Sequence, residues 1–122
     1  MTPLFDIAIP LRLGNGLNDR GHWCSKARSV KGEREAVAWA LLMTPAPSPP
    51  LVVTITRIAP SNGLDDDNLA GSCKGVRDRI AAWLGIDDAD ERVHYRYAQR
   101  RGPWGVEISM VRGRVVETVE AA

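Results

Sequence analysis

With 122 residues, 44% hydrophobic and 25% charged, the chain has the size and composition of one globular domain spanning 1–122, able to bury a single modest core. A net charge of +1 excludes an indiscriminately basic nucleic-acid binder, and no apolar run reaches the ~20 residues that cross a bilayer. With no secretory leader, and with Cys24 and Cys73 lacking metal-site spacing, reduced thiols and a cytoplasmic location are expected.

In chain order, Phe5 to Ile9 alternates apolar with polar or small residues ahead of Pro10, the pattern of a short strand. Gly14 to Asn18 is dense in turn formers and reads as a loop. From about Cys24 to Met43, the residues Ala27, Val30, Val37, Ala40 and Leu41 recur near helical spacing with charged residues opposite, predicting an amphipathic helix. Pro45, Pro47, Pro49 and Pro50 stop it by removing donors and restricting the residues before them. Leu51 to Ile58 is rich in β-branched residues and predicts a central strand, with Val53, Ile55 and Arg57 on one face and Val52, Thr54, Thr56 and Ile58 on the other. A second helix is expected from about Asn68 to Leu84, its arc of Leu69, Cys73, Val76, Ile80 and Leu84 facing the core and Gly85 closing it. Val93, Tyr95 and Tyr97 alternate with His94 and Arg96, and Arg101-Gly102-Pro103 turns into Trp104 to Val111, which predicts two hairpin-linked strands. The order strand, helix, strand, helix, strand, strand implies an α+β domain, a mainly antiparallel sheet with two amphipathic helices packed on it. After Gly113 the tail admits either a frayed end or a further edge strand.

Charge is segregated along the chain. Basic residues gather from Arg12 to Arg34, and acidic ones at Asp65 to Asp67 and again from Asp87 to Glu91. In an extended lead-in, Asp65 and Asp67 project to one side and Asp66 to the other, so two carboxylates converge. Convergence of like charges calls for a cation, and hard oxygen donors in small number suit Mg²⁺, which keeps several waters. The competing reading is a charge cluster at a helix start, where aspartate caps the chain and meets the helix dipole. An EF-hand is excluded, because counting from Asp65 puts Ala70 and Val76 where Gly and Glu are required. Lys74 and Asp78 share a helix stripe with Asp67, either as a phosphate-contacting lysine with its partner or as a solvated surface pair. Asp87-Asp88 follows the helix-stopping glycine, where turn chemistry competes with a catalytic role.

Asp65-Asp66-Asp67-Asn68-Leu69, then Lys74 and Asp78, then Leu84-Gly85-Ile86-Asp87-Asp88 is similar to the D-x-D-N-L, Lys, Asp, D-D arrangement of the RusA-type Holliday-junction resolvases. The strand Ile7-Ala8-Ile9-Pro10 and the loop Asn18-Asp19-Arg20-Gly21-His22-Trp23 also resemble the family's N-terminal portion, so the likeness covers nearly the whole chain. It implies that Asp65, Asp67 and Asp88 are catalytic, metal-binding carboxylates, with Asp87 an accessory metal ligand and Lys74 the catalytic lysine. The best-known members carry that lysine where this chain has Gly71, and moving it to position 74 keeps nearly the same helix face but shifts the amine about 4.5 Å along the axis.

The implied activity is that of an endodeoxyribonuclease using Mg²⁺, or Mn²⁺, to hydrolyse paired phosphodiesters at a four-way junction in recombination and repair. A homodimer matches the junction's two-fold symmetry. A bacterial, phage or prophage origin would suit the family. Arg12, Arg20, Lys26, Arg28 and Lys31 are candidate DNA-binding residues, or else the ordinary charged face of the first helix. His22 and His94 read as structural or surface residues, and Trp23 and Trp104 as core residues before base-stacking ones. Two rivals to the nuclease stand: a non-cleaving branched-DNA-binding protein, and an interaction domain whose acidic clusters are only caps and turns.

Overall fold

The computed structural model describes residues 5–13, 32, 35–42, 44–61, 63–87 and 89–113. The loop expected at Gly14 to Asn18, the first part of the first helix and the tail after Gly113 lie outside the described residues. The elements are β1 (Phe5–Ile9), α1 (helical at residues 35–41), β2 (Leu51–Ala59), α2 (Asp66–Ser72), α3 (Lys74–Leu84), β3 (Val93–Arg101) and β4 (Gly105–Arg112). The class is α+β, with the strands where their alternating patterns place them.

The four strands form one sheet in the order β1-β4-β2-β3. β4 pairs antiparallel with both β1 and β2, whereas β2 and β3 run parallel, Leu51 opposite Val93 and Ala59 opposite Arg101. The sheet is therefore mixed, and the expected hairpin between β3 and β4 does not form. β2 lies between them, and the short link from Arg101 to Gly105 crosses its C-terminal end, where the Gly102 amide donates to the Ala59 carbonyl at 2.9 Å. The crossing is close: a Cβ at Gly102 would stand 3.0 Å from Ile58 Cγ2. β2 takes the centre because its alternate residues Leu51, Val53 and Ile55 are fully buried, a demand that an edge position cannot satisfy. A parallel partner needs a crossover, and α2 with α3 supplies it between β2 and β3.

The expected continuous helix is instead two, beginning at Asp66 and interrupted at Cys73 (φ −91, ψ −1). Gly71 and Gly75 flank the break and weaken helix propensity, and the Ser72 hydroxyl bonds back to the Leu69 carbonyl at 2.9 Å, competing with the helical ladder. Leu69, Cys73, Val76 and Ile80 still face the core, while Leu84 is half-buried. Gly85 closes α3 in the left-handed conformation (φ 73, ψ 31). Val37 and Leu41 of α1 join these residues on one face of the sheet, against Ile9, Val53, Ile55, Val93, Val106, Ile108 and Met110.

Candidate active site and cationic groove

β2 ends at Ala59, and the chain reaches α2 through a loop in which Asp65 is the extended N-cap (φ −67, ψ 170). Asp65 Oδ1 accepts from the Asn68 amide at 2.9 Å and from Asn68 Nδ2 at 2.8 Å. Asn68 is itself buried, which locks the carboxylate in place. Asp66 and Asp67 are the first two residues of the helix, and all three aspartates are exposed. This corrects the extended lead-in: only Asp65 is extended, so the alternation that paired Asp65 with Asp67 does not extend past the cap. The capping role and a ligand role are compatible, since both cap bonds use Oδ1.

Lys74 opens α3 and pairs with Asp78 at 3.0 Å, the lysine 70% exposed, so its stem is unconstrained by packing. Its separation from Asp67 includes the Cys73 break, so the three do not share one continuous helix stripe. Lys74 and Asp78 border a groove of about 290 Å³ with Ala70, Gly71, Arg77 and Tyr97. Arg77 donates to the Tyr97 hydroxyl at 3.0 Å and lies 4.7 Å from the Tyr95 ring centre, joining this groove to a second one along β3.

Asp87 lies in the turn that follows α3, where its side chain accepts from the Ala89 amide at 2.9 Å, an ordinary Asx contact. Nearby, the Arg92 guanidinium and amide hold the Asp90 carboxyl down to about 2. Asp88 lies outside the described residues. Among the described residues, no three His, Cys, Asp or Glu side chains are gathered closely enough to hold a metal, so Asp65, Asp67 and Asp87 do not converge as a trio.

A cationic groove of about 260 Å³ lies beside the Asp65 loop, lined by Arg57, Ser61, Gly63, Gln99, Arg100 and Arg101. Arg57 comes from the buried face of β2 and is 2% exposed; loss of water around it lowers its pKa, against an opposing influence of the nearby Cys73. Arg100 pairs with Glu107, raising the arginine's pKa and lowering the glutamate's, chiefly through their hydrogen bond. Arg101 Nε donates to the Pro60 carbonyl at 3.3 Å. Of the basic residues expected to meet DNA, Arg12 stands near this groove's Arg57, the two guanidinium carbons lying 4.7 Å and 5.5 Å from the Trp104 ring centre. Trp104 is thus half-buried under cations rather than a core residue. Arg20, Lys26, Arg28 and Lys31, together with His22 and Trp23, lie outside the described residues.

No family model matches the chain, and no curated protein matches it.

Sequence reasoning missed Gln99. Its Oε1 accepts from the Leu64 amide at 2.8 Å and its Nε2 donates to the Leu64 carbonyl at 2.7 Å, clamping the residue before Asp65 to β3. A Cβ at Gly63 would meet that amide group at 2.8 Å, so the position has room only for glycine while the clamp is closed. The available signal was a glutamine on the β3 face otherwise occupied by Val93, Tyr95 and Tyr97. Gln99→Ala leaves both Leu64 backbone groups unpaired and is expected to cost about 1–3 kcal/mol in chemical denaturation. An unchanged midpoint would show that water replaces the clamp.

Proposed function

We propose that the protein is a Mg²⁺- or Mn²⁺-dependent endodeoxyribonuclease of branched DNA, acting as a homodimer on four-way junctions in recombination and repair. The observation that carries the reading is the adjacency of opposite charges: three exposed aspartates start α2, and the loop leading into them lines a groove bordered by Arg57 and Arg101. A polyanion is drawn to the arginines, while the carboxylates could admit it only with a cation between them. The likeness of Asp65 to Asp88 to the RusA-type resolvases supports the same reading and supplies the junction as substrate. Asp65 and Asp67 would hold the ion, with Asp88 and Asp87 carried over from that likeness. A bound ion of this class polarises the phosphate and lowers the pKa of its water. Hydrolysis then joins the water oxygen to phosphorus and breaks the P–O3′ bond, leaving a 3′-hydroxyl and a 5′-phosphate. The Lys74 ammonium, exposed beside Asp78, is free to swing towards a phosphate oxygen.

Incubating the chain with a labelled mobile junction and Mg²⁺ is expected to give symmetric paired nicks that EDTA abolishes. Binding without nicks in both Mg²⁺ and Mn²⁺ would overturn the nuclease in favour of a non-cleaving branched-DNA-binding protein.

A further inference from the structure

We propose that the face of the sheet opposite its helices packs against the same face of a second copy, about a two-fold axis parallel to the strands. The inference rests on the proposed function only for the homodimer, and supplies the surface and the direction of the axis.

Residues of α1, α2 and α3 bury one side of the sheet, the side of Val53, Ile55 and Ile108. The alternate strand residues point to the other side, which no described helix covers, and the register sets them in rows. One row runs Arg96, Thr54, Ser109, Asp6 from β3 through β2 and β4 to β1. The next runs Ala98, Thr56, Glu107, Ala8. Charge is divided between the two margins: His94, Arg96 and Arg100 lie on β3, and the acids Asp6 and Glu107 on β1 and β4. Arg100 and Glu107 neutralise one another within the copy. Arg96 and Asp6 are both exposed, and neither has an ion-pair partner among the described residues.

A polyanion drawn to Arg96 would be repelled by Asp6 and Glu107 on the same face, whereas a second copy of the face offers each unmatched charge its opposite. The direction of the axis follows from the charges. A two-fold axis lying across the strands would lay β3 on β3, cation on cation. An axis along the strands, between β2 and β4, lays β3 over the partner's β1 and β2 over the partner's β4, with every row kept at its own height. Arg96 then meets the partner's Asp6, and symmetry repeats the pair. In the same rows Thr54 meets the partner's Ser109, and Ala98 the partner's Ala8. These are small side chains, which suits the ~10 Å spacing of two aligned sheets.

The axis also has a consequence for the acidic site. It leaves the Ala59 ends of both central strands, and so both Asp65 caps, at one end of the dimer. A two-fold substrate approaching along the axis would meet both.

The test is sedimentation equilibrium without DNA on wild type, Asp6→Lys, Arg96→Glu and an equimolar mixture of the two variants. Wild type is expected to dimerise, and each variant alone to raise the dimer dissociation constant about a hundredfold or more, because each change enters the interface twice. The mixture is expected to dimerise nearly as tightly as wild type, since in the mixed dimer the two introduced charges face one another and a native Arg96–Asp6 pair remains. That recovery also shows that both variants fold. A dimer that neither variant weakens, or a mixture that stays monomeric, would overturn the proposal. So would Arg96→Glu that dimerises normally but loses junction binding, which would give the face to DNA. A monomeric wild type would overturn it together with the homodimer, leaving nicking to judge the nuclease. If the mixture recovers but wild type never nicks a junction, the nuclease reading falls and the interface stands. Nicking by a dimer indifferent to both substitutions would sink the interface alone.

Discussion

Asp67→Asn is expected to lower metal-dependent nicking by more than about a hundredfold while junction affinity in EDTA stays within a few-fold of wild type. The asymmetry follows from position. Asp67 is an exposed residue in the first turn of α2, so an amide of the same shape disturbs no packing, yet it is a much poorer ligand for a hard cation. Asp65 allows a finer separation, because its Oδ1 already serves the Asn68 amide and side chain. Asn is as good an N-cap as Asp, so Asp65→Asn should lose nicking at nearly full stability, whereas Asp65→Ala should lose nicking and a further ~0.5–2 kcal/mol of folding free energy. Nicking retained in both Asp65→Asn and Asp67→Asn would refute the metal assignment outright.

The second large effect is expected from Ile55→Ala. Ile55 has no solvent exposure, sits mid-way along β2 and pairs with Ile108 on one side and Tyr97 on the other. Removing its branched side chain forfeits the transfer energy of the lost atoms and leaves a void between strand and helices, together about 2–5 kcal/mol. Against a typical total of roughly 5–15 kcal/mol, that is a large share of the stability. Denaturation should show it as a lowered midpoint with an unchanged slope, and binding and nicking should fall together once part of the population unfolds. A loss of less than about 0.5 kcal/mol would mean that the sheet repacks around the gap.

What could be read from the sequence divides along the range of the interactions involved. The strands at Phe5 to Ile9 and Leu51 to Ile58, and the buried face Leu69, Cys73, Val76 and Ile80, follow from periodicity, because burial imposes the period locally. Pairing is not local. The turn signal at Arg101-Gly102-Pro103 is real, but a short link connects two strands equally well across the end of a third, and only the demand of β2 for cover on both edges decides between them. The Cys73 break lies between Gly71 and Gly75, beside a Ser72 hydroxyl that bonds back to the Leu69 carbonyl, and the apolar period registers none of these. At the site, the exposed aspartates and the Lys74–Asp78 pair were visible as residues and spacings. The meeting of Arg57 and Arg101 was not, since they border one groove only when β2 and β3 lie side by side in parallel register. The basic segment at 12–34 is dense in sequence, whereas Arg57 and Arg101 are divided between two strands.

The placement of β4 between β1 and β2 also governs the order in which the chain can assemble. Phe5 finds its partner at Met110, and Leu51 finds one of its two at Arg112, so the first strand and the central strand both wait for the last one described. On a ribosome, the β2–α2–α3–β3 unit, which carries Asp65, Gln99 and the arginines, can form its parallel pair before β4 is made, but β1 has nothing to join. Most of the entropy of closing the sheet is spent in one late step, the slow kind of topology. The half that carries the aspartates therefore exists as a nascent unit with an unpaired inner edge until β4 seals it.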